Sequence, residues 1–180
     1  MRRDPAGKYE QLGRVLLVGE LNPYGSNPLF ALWDEPADAS GNRLREILGL
    51  RSDTYRALHR VNLCAGRWSM RAAREKAGLL TSADPSRPWD VVVMLGRKVA
   101  SAFGYRGDFF GVVRPREVPG LQGKPEPTLV SLPHPSGLCR VWNDPAAVGR
   151  ARDLVRAVAP WVPWGEVWDG QELHPVARRV

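Results

Sequence analysis

Residues 90–103 read Asp-Val-Val-Val-Met-Leu-Gly-Arg-Lys-Val-Ala-Ser-Ala-Phe. The apolar run Val91 to Leu95 is continuous rather than alternating, the pattern of a strand buried on both faces of a parallel sheet. A helix follows it directly, over Arg97 to Phe103. Three further runs have the same character: Arg14 to Gly19, Arg60 to Cys64 and Thr128 to Pro133. Helical patterns alternate with them. Ser40 is placed to cap a helix carrying Leu44, Ile47 and Leu48, and Ser69 one carrying Met70, Ala73, Ala77 and Leu80. Asp144-Pro145 opens the clearest helix, with a capping carboxylate followed by proline at the first helical position. Its apolar stripe is Ala147, Val148, Ala151, Leu154, Val155 and Val158. This alternation predicts an α/β fold, a three-layer α/β/α domain around a central, mostly parallel four-stranded sheet. The chain reads as a single domain over residues 1–180 with its core at about 14–158. Pro115 to Pro127 reads as a loop, and the Trp-rich tail Pro160 to Val180 is expected to lie across the surface.

The chain has 180 residues and a formal net charge of +7. Only four of its 26 basic residues are lysine (8, 76, 98 and 124), which leaves 22 arginines. Arginine grips phosphate bidentately, so the excess fits a polyanionic partner, and it fits equally a general preference for arginine. The N-terminus is polar and does not read as a secretory signal. Val91 to Leu95 is far too short to span a bilayer, so no membrane association is expected. Two cysteines, Cys64 and Cys139, make no disulfide framework and cannot supply the four thiolates of an iron–sulfur cluster. With His59, His134 and His174 they show no zinc-site spacing, so neither metal nor cofactor is expected.

In open α/β sheets, ligands bind beyond the carboxyl ends of the strands. The first strand runs into Gly19-Glu20-Leu21-Asn22-Pro23-Tyr24-Gly25, and the second ends in Val61-Asn62-Leu63-Cys64. The third ends in Leu95-Gly96-Arg97. The fourth enters Leu132-Pro133-His134-Pro135-Ser136-Gly137-Leu138-Cys139-Arg140. One crevice would collect a carboxylate, two amides, a tyrosine, a histidine and a proline-stiffened loop.

Over most of residues 14–158 the chain resembles the uracil-DNA glycosylase superfamily. Gly19-Glu20 is similar to the first motif of its thermostable branch, while Asn22-Pro23-Tyr24 is similar to the other branches, with Leu21 as a one-residue insertion. His134-Pro135-Ser136 matches the family's second motif. Asn62 resembles the base-reading asparagine, and Val91 to Phe103 the strand–Leu-Gly–helix segment of the thermostable branch, whose iron–sulfur cysteines are missing here.

The resemblance implies roles that suit the residue types. Breaking a pyrimidine–deoxyribose bond needs charge stabilisation and a placed water rather than a nucleophilic side chain. His134 would donate a hydrogen bond to the departing base. Glu20 and Asn22 would hold the water or balance the sugar cation, the division between them left open. The Asn62 amide would read the uracil edge, donating and accepting at once. Tyr24 would exclude a methyl group at C5, and either Phe30 or Trp33 would stack on the base. Pro23, Ser136, Gly137 and Arg140 would contact the DNA backbone, and Leu138 would act as the wedge filling the vacated stack. Arg97 and Arg67 are the further arginines expected to face the crevice. For Leu138 the plainer alternative is a leucine closing its loop onto the core.

The implied protein is a monofunctional DNA glycosylase acting on uracil, a cytoplasmic (nucleoid) monomer whose partner is DNA. Two rivals stand beside it: a glycosylase for a 5-modified pyrimidine of phage DNA, and a DNA-binding member without catalysis. No lysine occurs in the motifs, which argues against a Schiff-base lyase step. Arg67-x-x-x-Arg71-x-x-Arg74 holds no histidine, unlike the loop of the family's DNA-cross-linking branch.

Overall fold

A computed structural model describes residues 12–22, 27, 30–82, 88–115 and 125–165 of the chain, with Asn22 described by its backbone alone. The strands are β1 (Val15–Asn22), β2 (His59–Ala65), β3 (Val91–Leu95), β4 (Gly111–Val113) and β5 (Thr128–Leu132). The helices are α1 (Ser40–Leu48), α2 (Ser52–Ala57), α3 (Met70–Thr81), α4 (Arg97–Ala102) and α5 (Pro145–Val158), with a 3₁₀ turn at Arg140–Asn143.

The strands lie in the order β2-β1-β3-β5-β4. All neighbouring pairs are parallel except β4 with β5, which is antiparallel. The sheet therefore has five strands, not four. The missed one, β4, is three residues long, too short for periodicity to register. The other strands fall within a few residues of their expected limits; β2 exceeds its expected Arg60–Cys64 span by one residue at each end.

Two-sided burial explains the unbroken apolar runs. Val15 and Leu17 of β1, with Val91, Val93 and Leu95 of β3, pack into one core layer against Leu44, Leu48, Ala151 and Val155. Leu16 and Val18, with Val92 and Met94, pack into the other against Ala73, Ala77, Val99 and Ala100. So α1, α2 and α5 cover one face, and α3 and α4 the other. Right-handed crossovers dictate this split. The chain steps from β1 outward to β2, then back across β1 to β3, and so must change face.

Local signals behave as the residue types predict, with one exception. Ser69 caps α3, its hydroxyl accepting from Ala72 N–H, and Asp144 caps α5 by accepting from Ala146 N–H at 2.9 Å. Ser40, expected to cap α1, is instead its first residue, and the cap position is Ala39 without a side-chain bond. Asn42 does the holding: its Nδ2 donates to Ala37 O at 2.8 Å and to Glu46 Oε1 at 2.9 Å.

Part of the tail belongs to the core rather than the surface. Val162 and Trp164 are buried, and Trp164 Nε1 donates to Ala159 O at 2.8 Å. Gly165 N–H donates to Leu48 O, tying the segment to the end of α1. Most of the Pro115–Pro127 loop, and the tail from residue 166 with Trp168, lie outside the described residues. Trp164→Ala is expected to cost about 3–5 kcal/mol through the cavity it leaves. Denaturant unfolding checks this, and a loss below about 1 kcal/mol would return the segment to the surface.

Candidate active site

The strand order reverses between β1 and β3, the switch point at which ligands bind in such sheets. Glu20, Asn62 and His134 come from β1, β2 and the end of β5 around it. Gly19 of β1 stands opposite Asn62 of β2, and β5 pairs with β3 up to Leu95–Leu132. Two glycines make this convergence sterically feasible. A Cβ on Gly19 would collide with Asn62 Oδ1, and it would also crowd Leu32. Gly96 has φ +97°, and a Cβ there would meet His134 Cβ at 3.1 Å. Here glycine serves both close approach and a backbone conformation that side chains disfavour.

His134 is fixed on three sides. Gly96 N–H donates to Leu132 O at 2.8 Å, just before the Pro133-His134-Pro135 run. Trp142 Nε1 donates to His134 O at 3.0 Å, and Ser136 N–H donates to His134 Nδ1 at 3.1 Å. With Nδ1 accepting, the neutral imidazole carries its proton on Nε2, which is then the donor. Burial holds His134 below the usual histidine range; Glu20 pulls it upward and Lys98 pushes it down. Trp142 and its role were not apparent from sequence.

Glu20 accepts from Lys98 Nζ through Oε1 at 2.6 Å. Lys98 is the second residue of α4, and its ammonium lies 5.7 Å from the centre of the Trp68 ring. It lies within the 91–103 segment, but its partner stands 78 residues away, and no short window of sequence shows the pairing. Asn62 is 6% exposed, and its Oδ1 has no hydrogen-bond partner among the described residues. An orphaned buried acceptor costs about 1–3 kcal/mol, recoverable from a ligand N–H. The Asn62 carbonyl is held by Lys76 Nζ at 2.8 Å.

The β1–α1 connection separates the two stacking candidates. Trp33 carries the guanidinium groups of Arg56 and Arg60 over its ring, at 4.9 and 5.5 Å. Its aromatic surface is thus engaged by the protein. Phe30 touches Trp33 edge-on with ring centres 6.2 Å apart and remains exposed. Asp34 anchors this segment, accepting from Ser52 Oγ at 2.5 Å and from Arg56 Nε. Burial alone would raise the Asp34 pKa, but the Ser52 and Arg56 hydrogen bonds outweigh it and hold the carboxyl below its usual range. The Asn22 side chain, Pro23 and Tyr24 lie outside the described residues.

The loop after His134 is braced from α1. Arg43 Nη1 donates to Ser136 O at 2.6 Å, and Nη2 reaches Asn143 Oδ1 at 3.4 Å. Gly137 passes close to the same guanidinium. From this braced loop Leu138 projects with 93% of its surface exposed, so it does not close the loop onto the core. Arg140 begins the 3₁₀ turn and is exposed, as are Arg67 and Arg97; Arg97 lies over the Phe109 ring at 4.8 Å. Among the described residues, no group of three or more His, Cys, Asp and Glu side chains is arranged to hold a metal, and no helix is long and apolar enough to cross a membrane.

Burial lowers both His134 and His59 from the ordinary value of 6.5. The unfolded chain therefore binds protons that the folded one refuses, and stability falls as pH drops below that value. His134→Gln should make the fall shallower between pH 7 and 5, as measured by denaturant midpoints; an unchanged slope would mean that His134 is not held neutral. No protein-family model matches the chain, and no curated protein matches it.

Proposed function

We propose that the protein is a monofunctional DNA glycosylase that takes a uracil, or a related pyrimidine, out of the helix and hydrolyses its N-glycosidic bond. The observation that carries this reading is the His134 imidazole, a neutral Nε2–H donor beside a carboxylate at the switch point of the sheet. In the reaction the C1′–N1 bond breaks, the base departs as an anion and the sugar becomes oxocarbenium-like. His134 Nε2–H donates to the base carbonyl oxygen on which the negative charge collects. Glu20 balances the sugar cation and receives the proton of the water that adds to C1′. The orphaned Asn62 Oδ1 accepts the ring N–H of the base, and its amide N–H₂ faces the neighbouring carbonyl.

Getting a base out of a duplex needs a filler for the gap and a grip on the backbone. Leu138, exposed on a braced loop, supplies the filler, and Arg140 stands next to it for the phosphates. With Trp33 turned to its arginines, Phe30 is the better candidate to stack on the base.

The decisive experiment is a panel of oligonucleotides carrying uracil, mismatched thymine or 5-modified pyrimidines, scored for abasic sites. Excision of uracil is expected. Excision confined to the 5-modified bases would shift the substrate to those, and binding without excision of any base would leave a DNA-binding protein. His134→Ala should lower single-turnover excision about 100- to 1000-fold, the usual effect of losing one preorganised donor. DNA affinity should stay nearly intact, and an equal loss of affinity would remove the transition-state role. Leu138→Ala should impair duplex substrates more than single-stranded ones, and equal effects would remove the wedge.

A further inference from the structure

In a chain with 22 arginines and four lysines, it matters where lysine is used. The two lysines among the described residues both bond to residues of the candidate site: Lys76 to the Asn62 carbonyl and Lys98 to the Glu20 carboxylate. The other ion pairs between described residues are made by arginine, from Arg14, Arg45, Arg51, Arg56 and Arg156. The arginines differ among themselves: Arg14 meets Asp90 at Oδ2 through both Nε and Nη2, while Arg56 Nε reaches both oxygens of Asp34, at 2.9 and 3.2 Å. Lys98 engages Oε1 of Glu20 alone. A guanidinium is a planar fork that tends to cover a carboxylate, whereas an ammonium is a compact point charge.

We propose that Lys98 is a positioning residue for the glycosylase reaction: its single contact with Oε1 orients Glu20, leaves Oε2 free for the attacking water, and balances the carboxylate charge beside His134. This rests on the glycosylase reading given above. The charge-balancing role comes from the surroundings of the imidazole. Glu20 approaches it from β1 and Lys98 from the start of α4, while its own loop contributes the Ser136 N–H. From α1, the Arg43 guanidinium is engaged by Ser136 O and Asn143 Oδ1. An unbalanced Glu20 would favour the imidazolium, which can no longer accept from Ser136 N–H. Lys98 lets an ionised carboxylate and a neutral imidazole share one site. Packing near Trp68 and the start of α4 keeps the ammonium at this post.

The test separates charge from geometry. Lys98→Met loses both, whereas Lys98→Arg keeps the charge but brings a fork. On the best oligonucleotide of the panel, both variants should lose about 10- to 100-fold in kcat, with KM within about twofold of the wild type. The His134 ring-proton titration, followed by NMR, should move to higher pH in Lys98→Met and stay in place in Lys98→Arg. Wild-type kcat in either variant overturns the proposal while leaving the glycosylase reading intact. A wild-type protein inactive on every base overturns both. Borohydride trapping of the wild type on ready-made abasic DNA, absent in Lys98→Arg, would make Lys98 a nucleophile and overturn the positioning role.

Discussion

The structure depends on the burial of β1 and β3 from both sides. Alternate residues of each strand enter opposite core layers, so neither strand has a face that tolerates polarity. Burial of apolar surface on both faces, at about 25 cal/mol per Å², stabilises these central strands. Glu20 lies near the carboxyl end of β1 and His134 just beyond β5, while Asn62 is buried within the edge strand β2, and the switch in strand order gathers all three at one end of the sheet.

Rigidity at that edge comes from backbone more than from side chains. Gly19 and Gly96 let neighbouring side chains approach the sheet edge closely, and prolines flank His134. The remaining supports are long-range: Arg43 to the loop at Ser136, and Trp142 back to the His134 carbonyl. A donor held this way would need no reorganisation if charge developed opposite it, as the proposed glycosylase reaction requires.

Sequence made the layers legible because their signals are local. A continuous apolar run, a capping aspartate followed by proline, and a helix directly after Gly96 each need only a short window. Two short elements escaped for the same reason: three residues of β4 and six of α2 carry no period. In the site, His134, Glu20 and Asn62 were readable from their positions at the carboxyl ends of apolar runs. Lys98 and Arg43 were not, since their partners stand 78 and 93 residues away. Only the long-range packing of Arg56 and Arg60 over the Trp33 ring distinguishes it from Phe30, and no local pattern carries that. Trp164 looked like surface because nothing in the sequence announces its hydrogen bond to Ala159.

Leu138 carries a thermodynamic consequence of its own. A leucine almost wholly in water, on a loop already braced by Arg43, makes no apolar contact that must be broken before it is covered. Whatever encloses it gains on the order of 2 kcal/mol from that side chain without first ordering the loop. The enclosure of this side chain adds a negative contribution to the heat-capacity change of whatever binding event covers it.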